Sequence, residues 1–382
     1  MQRALRILHV DTERTWRGGE QQAQNLMCGS RARGHAVTMV AQPGSPCAAR
    51  AREAGLDVVE RSMRGEFDLG AIATLTRLLR TGGFDVVHAH TSHAHTLAAL
   101  AAWRAKVPCV VSRRVDFAIT GSPFRRFKYR HGVDRFVAIS RAIGDVLAAG
   151  GVARDRIAVV HSGIDPERLR RADPSGPRAE LRLEPGTPLV GSVGHFAWHK
   201  GFDVFVDAAA AIASRRQNVR FVLVGAGELR ADLARQVERL GLTSRFAFPG
   251  FRDQAPDWLA ALDVFAAPSL MEGLNTTILD ALWLERPVVA ARAGGIPEAV
   301  VDGVTGLLVP PKDATALAAA IERLLDDRAA ARSFGAAGRA HVEAGFTIDT
   351  MVEGNLAVYR ELVRDRPRAA SRDGAHDGVA SR

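Results

Sequence analysis

Short apolar runs of four to six residues, separated by stretches of helical periodicity, recur from one end of this sequence to the other. Runs of that length read as strands buried on both faces, and regular strand–helix alternation builds parallel sheets covered by helices on either side. Two such sets are legible. In the first, Leu5–Val10, Ala36–Ala41, Val86–His90, Cys109–Ser112, Arg135–Ile139 and Ile157–His161 are expected strands, with helices such as Glu20–Arg33, Leu69–Arg80, Ala94–Arg104 and Arg141–Ala149 between them. In the second, Leu189–Val193, Arg220–Val224, Val264–Ala267, Pro287–Ala291 and Gly306–Val309 alternate with helices around Val204–Arg216, Leu229–Leu240, Thr276–Leu284 and Thr315–Leu325. Between them Asp173-Pro174-Ser175-Gly176-Pro177 has the composition of an interdomain linker. The fold class is therefore α/β, with two facing Rossmann-like doubly wound sheets. Ligands of such sheets bind beyond the carboxyl ends of the strands, which places a site in the cleft between the lobes.

Length and composition agree. A chain of 382 residues with 47% hydrophobic residues supports two cores. No apolar run approaches the ~20 residues of a membrane span. Leu5–Val10 is too short, and too soon followed by Asp11 and Glu13, for a secretion signal, so a cytoplasmic location is expected. Cys28, Cys47 and Cys109 are scattered, which argues against a disulfide framework or a zinc site. The net charge of +9 is lopsided: residues 1–171 hold 27 Lys and Arg against 15 Asp and Glu, and residues 172–382 hold 24 against 27. Arg113, Arg114, Arg125, Arg126, Lys128, Arg130 and Arg135 interleave with Phe117, Phe124, Phe127 and Tyr129. That mixture suits an anionic membrane surface or an anionic lipid-linked acceptor. It is equally the composition of a solvated arginine-rich face. No recognition motif of a nucleic-acid module accompanies it, so nucleic acid is not an expected partner.

The densest chemistry lies between Pro268 and Pro310. Glu272 precedes Gly273 in a polar loop, and Thr276-Thr277-Ile278-Leu279-Asp280 opens a helix whose free amides and positive dipole end suit a phosphate. Asp280 stands eight residues after Glu272, so a loop carboxylate and a helix carboxylate can reach one ligand from two sides. With Pro287-Val288-Val289, Gly294-Gly295 and Glu298 following, this span resembles the donor-site signature of the retaining glycosyltransferases of family 4, whose architecture is the GT-B fold. The resemblance runs nearly the whole chain up to Arg364. The departure here is Asp280, where the family carries Glu, one methylene longer.

That resemblance implies roles for further residues. In Gly194-His195-Phe196-Ala197-Trp198-His199-Lys200-Gly201, Lys200 matches a family lysine and His195 stands where the family has arginine; the two cations there hold the donor diphosphate as the sugar leaves. The resemblance places Glu272 near the donor sugar, Asp280 at the ribose, and the backbone of Gly273, Leu274, Asn275 and Thr276 at a phosphate. Gly18 and Gly19, after the first strand and at a helix start, match the family's glycine loop. Gly225, in Val224-Gly225-Ala226-Gly227-Glu228, and Arg252, in Pro249-Gly250-Phe251-Arg252, fall around the nucleoside base. Gly225 and Gly227 do not complete a dinucleotide fingerprint, because Arg230 occupies the third glycine position. His161-Ser162-Gly163-Ile164-Asp165 resembles a family Asn-Gly-Ile-Asp element.

Period two puts His88 and His90 on one face of a strand end. A metal pair would need a third ligand that the spacing does not offer. The family has His-x-His here, with the second histidine, His90, near the reacting sugar. Where the family often has another histidine this chain has Arg113 and Arg114, expected to meet an anionic group on the acceptor. His93 and His95 carry no assignment. No Asp-x-Asp triplet occurs, so no metal or other cofactor is expected.

The resemblance thus implies transfer of a hexose from a nucleotide diphosphate sugar to a hydroxyl of a cell-surface glycan, such as lipopolysaccharide or exopolysaccharide, or of a lipid-linked acceptor. A nucleotide-sugar 2-epimerase of the same fold, and a non-catalytic scaffold marked by His195 and Asp280, remain as alternatives. The expected organisation is an acceptor domain over residues 1–171, a donor domain over 172–346, a crossing-back helix over 347–365 and a disordered tail over 366–382.

Overall fold

The computed structural model describes residues 3–119, 128–129 and 132–364. Arg125, Arg126, Arg130, Phe124, Phe127 and the expected tail over 366–382 lie outside the described residues. Both sheets are present and every pairing is parallel. The first contains β1 (Arg6–Val10), β2 (Ala36–Ala41), β3 (Asp57–Glu60), β4 (Val86–Ala89), β5 (Cys109–Arg113), β6 (Arg135–Ala138) and β7 (Ile157–Val159), in the order β3-β2-β1-β4-β5-β6-β7. The second contains β8 (Leu189–Val193), β9 (Arg220–Val224), β10 (Phe246–Gly250), β11 (Val264–Ala267), β12 (Val288–Ala291) and β13 (Gly306–Val309), in the order β10-β9-β8-β11-β12-β13. In each sheet the order reverses beside the first strand, which opens a crevice at the carboxyl ends of the strands.

The central strands are wholly buried because helices cover both faces. In the N-terminal lobe, one face of the sheet packs Leu8, Val87 and Ala89 against Leu75, Leu79 and Leu97. The other packs Ile7, Val86, Val110 and Val137 against Leu26 and the C-terminal helix Ile348–Arg364, which contributes Val352, Leu356 and Tyr359. That helix belongs to the N-terminal lobe by packing although it comes last in sequence. Its arrival is fixed by a parallel bridge between Ile164 and Thr347, where the two passages of the chain between lobes run side by side.

The stretch Asp173–Pro177 is not a free linker. Pro174 is the N-cap of a short helix, Ser175–Glu180, that packs on helix Ala255–Ala261 in the C-terminal lobe. Prolines suit a helix start as well as a linker, because the first-turn amides they remove have no intrahelical partner. The preceding helix Pro166–Arg170 already touches helix Thr276–Trp283 of the C-terminal lobe.

Leu356 is fully buried against the N-terminal sheet. We predict that Leu356→Ala lowers unfolding stability by about 2–5 kcal/mol. A loss under about 1 kcal/mol in denaturant titration would mean that the crossing helix is not integral to this core.

Candidate donor and acceptor site

In the C-terminal lobe, the end of β8 leads into a tight turn, Trp198–Lys200, closed by Gly201 at φ 63°. This turn points Lys200 at the loop after β11, where its Nζ donates to Glu272 Oε2 at 2.6 Å. Both side chains are mostly buried. The two residues expected to handle the leaving group and the sugar are thus in contact across 72 residues of sequence. Just beyond, Asn275 takes a left-handed conformation (φ 64°, ψ 84°) and starts helix Thr276–Trp283 with no side-chain cap. A non-glycine residue held there stores strain of about 1–3 kcal/mol, and strain of that kind concentrates at ligand sites. The first amides of the helix are left available to an anion. Leu274 is buried and its side chain packs in the hydrophobic core.

Glycine at position 225 is required sterically. A Cβ on Gly225 would lie 1.9 Å from the Gly194 carbonyl oxygen, so this glycine lets the turns after β8 and β9 pack together. Arg252 is ion-paired with Glu180 and lies over the Trp258 ring, 5.6 Å from its centroid, while neighbouring Phe251 is exposed. Asp280 is buried. Its Oδ2 accepts from Arg168 Nη2 at 2.6 Å and its Oδ1 has no partner among the described residues. Burial pushes its carboxyl upward, against the opposing pull of Arg168. His195 is half exposed and faces Glu228, with Nε2 3.1 Å from Oε2. Its charged partner is thus Glu228, whereas Lys200 pairs with Glu272.

The N-terminal lobe supplies the opposite wall. Helix Gly18–Ala32 begins at the end of β1, and Glu20 returns to accept the Arg17 amide at 2.8 Å. Among the described residues, no atom would meet a Cβ on Gly18, and one on Gly19 would touch only Arg114 Cδ at 3.6 Å. A cavity of about 840 Å³ opens here, with Arg17, Glu20, Glu66, His90, Arg114 and Lys128 among its walls. Arg113 also lines it, but its guanidinium donates to the Tyr129 hydroxyl and the Phe117 carbonyl, which anchors the segment after β5. Arg114 is the arginine turned inward: Nη1 donates to the His90 carbonyl at 3.4 Å and Nη2 lies 3.3 Å from His90 Nδ1.

The third histidine that spacing could not supply is His9. It sits opposite His88 in the β1–β4 register, so His9, His88 and His90 share one face. His9 Nδ1 lies 2.8 Å from His90 Nε2, and His88 bonds the Tyr359 hydroxyl at 2.5 Å and Ser112 Oγ at 2.8 Å. The three rings offer ligand atoms within 4.8 Å of one another. They nevertheless fit a metal poorly, because both His88 nitrogens are engaged, His90 is bonded to His9, and the Arg114 cation lies against His90. His88 is thus a structural link to the crossing helix, and His90 is the member that reaches the cavity. His95 is buried edge-on to Tyr129 and Phe136.

Burial, then the charge of Arg114, lowers the His9 pKa from 6.5 to about 3. Burial likewise drives His88, His90 and His95 well below the usual value. These rings are neutral when folded but take up protons when unfolded, so stability is full above about pH 6.5 and is lost as pH falls toward the folded values. Urea unfolding at pH 5 should therefore have a clearly lower midpoint than at pH 7; an equal or higher midpoint would contradict buried neutral rings.

The lobes meet directly at this site. A Cβ on Gly273 would lie 2.4 Å from the Arg114 carbonyl oxygen, and one on Gly295 would lie 2.9 Å from Ser140. No helix among the described residues is long and apolar enough to cross a membrane.

Residues 187–327 match the family model described as glycosyl transferases group 1, and residues 16–168 match glycosyltransferase family 4. The 2-deoxystreptamine glucosyltransferase of Streptomyces kanamyceticus is 34% identical over 224 residues, covering 57% of this chain and 58% of that protein. D-inositol 3-phosphate glycosyltransferase 1 of Catenulispora acidiphila is 32% identical over 331 residues, covering 79% of this chain and 78% of that one. The chain spans 58%, 55% and 61% of the length of the first three curated relatives. The HepE protein of Anabaena, in complex with UDP and glucose, superposes with a TM-score of 0.81 at 23% identity, over 94% of this chain and 100% of that one. It shares the fold of two facing Rossmann-like lobes.

Proposed function

Because the chain belongs to the family 4, group 1 glycosyltransferases, we propose that it moves a hexose, with retention of configuration, from a nucleotide diphosphate sugar to an acceptor hydroxyl. The observation that carries this reading is the Lys200–Glu272 pair beside the uncapped start of helix Thr276–Trp283. An ammonium and free amides side by side suit a diphosphate, and the adjoining carboxylate suits sugar hydroxyls. Binding would turn Lys200 from Glu272 toward the phosphate and release the carboxylate to the sugar.

In the proposed reaction the bond between C1 of the sugar and the phosphate oxygen breaks, and its electron pair stays on the phosphate. The acceptor oxygen bonds C1 from the same face and its proton passes to the departing phosphate oxygen. Lys200 and the helix amides stabilise the charge that grows on the leaving group. This route needs no enzymic nucleophile, and the reading assigns no step to a metal. Gly18 and Gly19 would close on the phosphates from the N-terminal lobe, and Asp280, with Arg168 beside it, would meet the ribose. Arg252 and Gly225 would border the base, and His195 would approach the diphosphate only if it left Glu228.

The acceptor would occupy the N-terminal cavity beside His90. Its walls mix Arg17, Arg114 and Lys128 with Glu20 and Glu66, which favours a polar acceptor carrying both hydroxyls and charge. Phe67 and Phe117 are exposed on the same walls. They favour an apolar portion at the mouth, as in a lipid-linked glycan presented at an anionic membrane surface on the cytoplasmic side. Two relatives name their acceptors as 2-deoxystreptamine and D-inositol 3-phosphate, so a small polar acceptor is the second reading.

A thermal-shift screen with UDP, GDP and ADP tests donor binding. A nucleotide at ~100 times its dissociation constant should stabilise the fold by ~2.7 kcal/mol; no shift with any of them would contradict the reading. For the chemistry, Lys200→Ala should lower kcat about 10²–10³-fold. Turnover at the wild-type rate would remove Lys200 from the mechanism.

A further inference from the structure

Glu298 follows the Gly294-Gly295 turn in the C-terminal lobe, yet its side chain ends in the other lobe. Its Oε2 accepts from the Arg141 amide at 2.8 Å and its Oε1 from the Ala142 amide at 3.0 Å. These are the first two amides of helix Arg141–Ala149 in the N-terminal lobe, whose own cap, Ser140 Oγ, takes only the Ile143 amide. His161 Nε2, also of the N-terminal lobe, lies 2.9 Å from Glu298 Oε2. A carboxylate is favoured at a helix start by the dipole and by the orphan amides. This helix is therefore capped jointly by its own serine and by a residue 157 positions away.

At its root Glu298 is fixed to the donor lobe. Its carbonyl accepts from His341 Nε2 at 3.0 Å. The turn before it bonds the donor loop directly, with the Gly295 amide donating to the Glu272 carbonyl at 3.0 Å. A Cβ on Gly295 would lie 2.1 Å from the Gly273 carbonyl oxygen on one side and 2.9 Å from Ser140 on the other. One turn thus touches the donor loop, the opposite lobe's helix cap and, through Glu298, that helix's first amides. Parting the lobes would strip a largely buried carboxylate of three partners.

We propose that Glu298 is a positioning residue that latches the two lobes together over the donor loop. Closure of this kind sets the distance between an acceptor held in the N-terminal lobe and a sugar held by the C-terminal lobe. For its kinetic readout the inference rests on the glycosyl-transfer reading; the latch itself is testable without any substrate.

The experiment compares Glu298→Ala and Glu298→Gln with Asp313→Ala. Asp313 makes the same kind of contact inside one lobe, accepting the Ala316 amide at 2.8 Å at the start of helix Ala314–Asp326. It therefore controls for the loss of a helix cap. Glu298→Gln keeps one acceptor oxygen and guards against failure of the alanine variant to fold. Amide exchange at Arg141 and Ala142 should speed up at least about tenfold in the Glu298 variants, with a larger radius of gyration by small-angle scattering, while Asp313→Ala leaves both unchanged. Wild-type turnover is first sought with UDP-glucose, UDP-N-acetylglucosamine and GDP-mannose. With any of these that is consumed, kcat should fall about tenfold to a hundredfold in the Glu298 variants, and calorimetric affinity for UDP or GDP should stay within about threefold. Unchanged exchange and scattering in both Glu298 variants would overturn the latch. If exchange and scattering shift in the Glu298 variants while neither UDP, GDP nor ADP binds the wild type, the latch stands and the transfer reading falls.

Discussion

The loop carrying Glu272 and Gly273 is squeezed between main-chain atoms on two sides. A Cβ at Gly294 would lie 2.0 Å from the Glu272 carbonyl oxygen, and one at Gly273 would lie 2.4 Å from that of Arg114. Real Cβ atoms do not approach so closely, so glycine is obligatory if the loop is to lie against its own lobe and the facing lobe together. The rest of the site follows from this confinement. Glu272 is aimed at Lys200, Asn275 is forced into a left-handed turn, and the next helix begins with its amides uncapped. Backbone approaches bring the lobes together at this seam, and the Glu298 side chain bridges it.

Beneath the seam the N-terminal lobe carries a polar interior that a fold alone does not need. The Tyr359 hydroxyl bonds His88, His88 lies against His90 at 4.3 Å between ring centroids, and His90 bonds His9. Neutral imidazoles can be buried in this way at a lower desolvation cost than charged ones, although His9 Nε2 finds no partner among the described residues. The arrangement ties the last helix to the cavity wall. It also gives the crossing helix a second role besides covering the sheet, since Tyr359 orients the histidines from behind.

Much of the fold was legible in the sequence because it depends on local pattern. The central strands and the helices named from the sequence fall within a residue or two of the apolar runs that announce them, but the 18-residue helix Arg328–Gly345, rich in alanine and arginine, was not among them. The missed strands are edges: β3 reads Asp-Val-Val-Glu and β10 ends in Pro-Gly, and neither looks like a buried strand. The linker reading of Asp173–Pro177 failed because proline opens helices as well as linkers. At the site, Lys200 and Glu272 were legible by family resemblance, and the structure brings them together. His9 was not legible, because its partnership with His88 depends on the register between β1 and β4. Glu298 was visible as part of a motif, but its reach into the other lobe is set by how the lobes dock. The opposed fates of Arg113 and Arg114, one tied to Tyr129 and the other to His90, are likewise tertiary.

The central claim is that a diphosphate docks where Lys200, Glu272 and the start of helix Thr276–Trp283 converge. A crystal structure with the diphosphate nucleotide that stabilises the protein most tests it directly. The account predicts the terminal phosphate within hydrogen-bonding reach of Lys200 Nζ and the first amides of that helix, with the Lys200–Glu272 contact loosened. A nucleotide bound elsewhere, with Lys200 and Glu272 still paired and the helix amides untouched, would contradict it.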